Sequence, residues 1–64
     1  MAITIKAARV NVGLTQKEAA KELKISRLTL ASYEAGRTSP NIELGKKMAE
    51  LYKTTVDNLI FSAN

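Results

Sequence analysis

A chain of 64 residues with neither cysteine nor histidine has to hold itself together by packing alone. Small domains bury a modest share of their surface, and the usual remedies for a thin core, a disulfide staple or a zinc site, need thiols or imidazoles. A compact helical core, with or without a partner, is what remains. The same two absences remove the thiol nucleophile, the Cys/His metal ligand and the side chain that most often does acid–base work near neutral pH. An enzyme is therefore not expected, and no metal or cofactor is implied.

Lys and Arg number 10 against 6 Asp and Glu, a formal net charge of +4. An excess of that size favours an anionic partner, nucleic acid or a membrane surface, and charge alone does not choose between these and a merely soluble basic domain. The start, Met1-Ala2-Ile3-Thr4-Ile5-Lys6, lacks the basic and apolar stretches of a signal peptide, and no apolar run approaches the ~20 residues of a membrane span. The expectation is one cytoplasmic domain over residues 1–64, without a membrane partner.

Hydrophobic spacing is helical almost throughout, with turn signals about one short helix apart, so the chain reads as all-α with five short helices. The first runs from about Thr4 to Val12, with Ile5, Ala8 and Val12 on one face, and stops at Gly13. The second opens on Thr15-Gln16-Lys17-Glu18, a reciprocal capping pattern flanked by Leu14 and Ala19 at staple positions. Ala19, Ala20 and Leu23 form its buried face, and the adjacent alanines let another helix approach closely. Lys24-Ile25 leads to Ser26, a cap for a third helix from Arg27 to about Ala35 that ends at Gly36. Two short helices joined so tightly make a helix-turn-helix. Asn41 caps a fourth helix to about Tyr52, and Thr55 a last short one through Val56, Leu59 and Ile60.

At 100° per residue, Leu30 and Tyr33 fall on one side of the third helix, and Arg27, Leu28, Ala31, Ser32 and Ala35 on the other. A solvated face normally carries Glu and Lys. Arg, Leu and small residues instead suit a helix end entering a major groove, where Arg pairs with guanine, Leu meets a thymine methyl and Ala and Ser leave room for base edges. The alternative is that Leu28 packs into the core. The positive end of the helix dipole adds attraction for phosphates, and Arg37, Thr38 and Ser39 past its other end are either phosphate donors or simply a polar turn.

Arg9, Leu14-Thr15-Gln16, Ala20, Ile25-Ser26-Arg27, Tyr33-Glu34-Ala35-Gly36 and Pro40 together form a pattern that resembles the helix-turn-helix domains of phage repressors and Cro, the xenobiotic response element type, over residues 3 to 61. The resemblance implies a compact five-helix bundle of the lambda-repressor type in which helices two and three read DNA. It implies base contacts from Arg27, Leu28 and Ser32, with Thr29 at the edge of that surface. Backbone contacts would come from Gln16, which would also brace Arg27, and from Ala35, Arg37 and Thr38. Lys17 and Ser39 complete the candidate phosphate set. Arg9 and Glu34 match a partly buried salt bridge joining helix one to helix three, whose loss of one partner would cost ~3–5 kcal/mol. The implied function is sequence-specific binding of double-stranded DNA by a bacterial or phage-encoded regulator, a repressor on an inverted repeat. A homodimer is the usual route to adequate affinity, and Ile60 and Phe61 are its candidate contacts, or else part of the core. The competing class is a protein-interaction module on the same fold, an antitoxin or anti-repressor.

Three departures from the pattern matter. Lys24 and Lys53 stand where relatives place Gly after a helix, each costing up to ~1 kcal/mol if the backbone there keeps φ > 0. Gly45 replaces a large apolar residue in the fourth helix, at roughly 1 kcal/mol in helix propensity alone. Either another side chain such as Tyr33 or Tyr52 fills the gap, or the domain is marginally stable.

Overall fold

The computed structural model describes residues 2–61. Met1 and residues 62–64, which the single-domain expectation includes, lie outside the described residues. Elements run β1 (Ile3–Thr4), α1 (Ile5–Asn11), α2 (Gln16–Leu23), α3 (Arg27–Glu34), α4 (Ile42–Leu51), a single 3-10 turn (Val56–Asn58) and β2 (Leu59–Ile60).

Each α-helix is delimited by the same local chemistry at both ends. The Thr4, Thr15, Ser26 and Asn41 side chains accept from the backbone amides of Ala7, Glu18, Thr29 and Leu44, satisfying donors that the first helical turn leaves open. At α2 the cap is reciprocal, with Glu18 Oε1 accepting from the Thr15 amide at 2.9 Å. That bond to the Thr15 amide, with the Thr15 hydroxyl second, holds the Glu18 carboxyl below its usual range. At the C-termini the chain turns through positive φ at Gly13, Lys24, Gly36 and Lys53. The next amide, of Leu14, Ile25, Arg37 and Thr54, then donates back to the carbonyl of Arg9, Ala20, Ser32 and Ala49. This is the Schellman arrangement. Lys24 at φ 59° and Lys53 at φ 57° thus adopt the conformation their positions require, although neither is Gly.

The caps orient the helices so that their apolar faces meet. Ile5, Leu30 and Met48 are sealed at the centre, surrounded by Ala8, Ala19, Ala20, Leu23, Ala49, Tyr52 and Leu59. The small Ala19 and Ala20 let α2 settle against α3 and α4. Tyr33 is partly buried against this core, on the side of α3 that also carries Leu30.

The all-α, five-helix expectation needs correction. Thr55 makes no side-chain cap, Val56–Asn58 form one 3-10 turn, and Leu59–Ile60 run extended. β2 pairs in parallel with β1, Ile3 opposite Leu59 and Thr4 opposite Ile60. Without that side-chain cap, the chain after Thr55 makes a single tight turn and then extends. The extended backbone finds its partner in β1. A parallel pair needs a long crossover, and here the whole helical bundle supplies it. The result is a mostly helical structure of four α-helices and a short strand pair among the described residues. The pairing delivers Phe61 to α4, where its ring, and not Tyr33 or Tyr52, fills the space over Gly45.

Candidate nucleic-acid interface

α2 and α3 form the helix-turn-helix, with Lys24 in the left-handed turn and Ile25 partly buried beneath it. Burial of Leu30 fixes which side of α3 faces outward. Arg27 is exposed, and Leu28 is 72% exposed, so Leu28 is not a core residue. Ala35 is also exposed, while Ala31 and Ser32 are half-buried.

Hydroxyls order both ends of this face. Ser26 Oγ accepts from the Thr29 amide at 3.0 Å and donates to Thr29 Oγ1 at 2.8 Å, which fixes Thr29 beside the first turn. Ser32 Oγ and Thr38 Oγ1 lie 3.1 Å apart, joining the middle of α3 to the loop beyond it. Arg37 is exposed, its amide closing the end of α3 on Ser32, and Ser39 Oγ donates to the Phe61 carbonyl at 3.5 Å. Lys17 is exposed on the first turn of α2. Neither serine–threonine pairing has a signal in the sequence beyond the short spacing.

Beneath this face lies an ion pair. Arg9 Nε donates to Glu34 Oε2 at 2.7 Å and Arg9 Nη2 to Glu34 Oε1 at 3.2 Å. Their side chains are 9% and 4% exposed. Arg9 Nη1 donates to the Leu14 carbonyl at 2.7 Å, so one guanidinium ties α1 to α3 and to the approach to α2. The Gln16 side chain, expected to brace Arg27, instead donates from Nε2 to Glu34 Oε1 at 2.9 Å. Residues 18 apart carry no periodic signal that would announce this bond.

Ile60 is exposed, whereas Phe61 is partly buried against the core. Ile42, exposed at the first turn of α4, borders an apolar hollow with Pro40, Gly45, Val56 and Phe61 that sequence spacing does not reveal. Among the described residues no acidic cluster is arranged to hold a metal ion, and no helix is long and apolar enough to cross a membrane.

Comparison with known proteins places this geometry in context. A family model described as helix-turn-helix matches residues 5–59. The HTH-type transcriptional regulator ImmR of Bacillus subtilis is 38% identical over 56 residues, covering 88% of this chain and 44% of its own. The HTH-type transcriptional activator BcrR of Enterococcus faecalis is 33% identical over 52 residues, 81% of this chain and 26% of its own. An uncharacterized HTH-type transcriptional regulator of Archaeoglobus fulgidus is 30% identical over 59 residues, 92% of this chain and 84% of its own. The chain thus spans less than half the length of the two bacterial relatives. No solved structure matches significantly.

Proposed function

This chain belongs to the helix-turn-helix family, and on that premise we propose that it is a transcriptional regulator that binds double-stranded DNA sequence-specifically, a repressor docking as a homodimer on an inverted repeat. The observation that carries this reading is the exposed first turn of α3, with Arg27 and Leu28 projecting from a helix whose opposite side is sealed by Leu30. In the major groove Arg27 forks onto guanine and Leu28 meets a thymine methyl, with Thr29 and Ser32 reaching neighbouring edges. Gln16, Lys17, Ala35, Arg37, Thr38 and Ser39 take phosphates on either side and fix the register of the helix. Arg9 and Glu34 hold the angle of α3 from behind. Ile60 contributes to the dimer contact, with the exposed part of Phe61 beside it. Residues 1–64 act as one DNA-binding domain, in the cytoplasm and without catalytic chemistry of their own.

Selection of bound duplexes from a random pool tests the proposal. A palindromic consensus is expected, its half-sites about one helical turn apart. Failure to enrich any sequence, even at low salt, overturns it. The exposure of Leu28 also favours a second reading, in which α3 grips a protein partner. In that case binding to the partner is insensitive to salt and DNA binding is absent.

A further inference from the structure

Glu34 faces two ways. Its buried carboxylate accepts the Arg9 fork on one side, and on the other it accepts from Nε2 of Gln16, the first residue of α2, which is partly exposed among the candidate phosphate contacts. A carboxylate clasped by a guanidinium offers only acceptors, so the amide of Gln16 must turn its nitrogen toward it. Nε2 carries two hydrogens. One is held by Glu34, and the second, in a direction set by the planar amide, is available to another acceptor.

We propose that Glu34 is a positioning residue for DNA anchoring: by engaging Nε2 of Gln16 it presets the amide so that the remaining N–H is offered to a phosphate oxygen. The inference rests on the reading of Gln16 as a phosphate contact. A glutamine without this restraint turns its carbonyl oxygen outward as readily as its nitrogen, and loses side-chain freedom when it binds. Arg9 completes the device. Its Nε and Nη2 hold Glu34, while its Nη1 bond to the Leu14 carbonyl fixes the chain just before α2. Gln16 and its acceptor are therefore set by one buried cation.

The test compares wild type, Gln16→Met, Glu34→Met and the double variant by fluorescence anisotropy on a labelled mixed-sequence duplex at low salt, because phosphate contacts do not depend on sequence. Methionine is chosen at 34 because glutamine would keep an oxygen able to accept from Gln16. Gln16→Met should weaken binding about threefold to tenfold. Glu34→Met should weaken it similarly, although removing a negative charge would by itself strengthen attraction to DNA, and the double variant should be no weaker than Gln16→Met. If Gln16→Met weakens binding while Glu34→Met binds as tightly as wild type, the positioning role is overturned and the Gln16 contact stands. If Gln16→Met has no effect, the phosphate contact itself falls, and the inference with it. Should Glu34→Met unfold, nitrogen-15 NMR of the free wild-type protein decides. The Gln16 side-chain N–H signals should be displaced from free-glutamine positions and protected from solvent exchange, and signals at the free positions overturn the proposal.

Discussion

The ring of Phe61 lies over the bare backbone of Gly45, so close that a Cβ built there would sit 3.3 Å from Cζ and 3.6 Å from Cε1. A helix position that lacks a side chain is thus filled from the far end of the chain. β2 makes this possible by pinning Leu59 and Ile60 against β1 just before Phe61.

Gly45→Ala sets two effects against each other. Alanine gains about 1 kcal/mol of helix propensity, while the new methyl forces the Phe61 ring to give by a few tenths of an ångström. The contact is with the far edge of a ring that is only partly buried, so the ring can yield. A net stabilisation of roughly 0.5 kcal/mol is expected. Thermal melting reads it directly, and a lowered Tm would mean that the ring cannot move.

The two left-handed lysines give a paired prediction. Lys24 and Lys53 hold φ of 59° and 57°, where a Cβ crowds the backbone and Gly does not. Glycine also widens the unfolded ensemble, which offsets part of the gain. Lys24→Gly and Lys53→Gly should each stabilise by about 0.5–1 kcal/mol in denaturant titration. The reverse change, Gly36→Ala at φ 78°, should destabilise by about 1 kcal/mol. Unchanged midpoints for all would remove backbone strain as a determinant of these turns.

Tyr52 predicts an alkaline loss of stability. Burial first, then the Glu34 charge, push its phenol up to about 12 from 10, with Arg9 opposing them. Below pH 10 folded and unfolded chains both keep the proton, so the group adds no pH dependence. Between 10 and 12 the unfolded chain releases it while the folded chain holds it, and stability falls by up to ~2–3 kcal/mol as pH rises through that window. The same hydroxyl is buried with no hydrogen-bond partner among the described residues. Tyr52→Phe should therefore raise stability at neutral pH by about 1 kcal/mol and flatten the alkaline decline. A lowered midpoint at pH 7 would show that the hydroxyl is satisfied after all.

What the sequence discloses about this fold follows the range of the forces involved. Caps at Thr15, Ser26 and Asn41, and turns at Gly13 and Gly36, act within five residues, and they are legible from residue type. The buried face of α2 follows from its period. The parallel pairing of Ile3 with Leu59 joins the two ends of the bundle through two-residue strands, which carry no period. The Phe61 ring over Gly45 and the Gln16 bond to Glu34 are equally non-local, and physical reading of neighbours misses both. At the candidate interface, helical phase is enough to turn Arg27 and Leu28 outward. It does not show that Ser32 and Thr38 meet, because a loop intervenes.

Arg27 and Arg37 separate base reading from phosphate anchoring. Both are exposed, at opposite ends of α3, so neither substitution disturbs the core. A guanidinium forked onto guanine discriminates by ~1–3 kcal/mol, so Arg27→Ala should lose that much on the selected site and relax its sequence preference. It should lose less on a scrambled duplex, where the bidentate pairing is not made. A phosphate contact is indifferent to sequence but releases a counterion, so Arg37→Ala should weaken selected and scrambled duplexes alike and lower the slope of log K against log salt by about 1. Gel-shift titrations of both variants on both duplexes at several salt concentrations check the pair. Equal losses on the two duplexes for Arg27→Ala would move Arg27 to the backbone set. An unchanged salt slope for Arg37→Ala would place Arg37 off the DNA and leave its loop a polar turn closed by the Ser32–Thr38 contact.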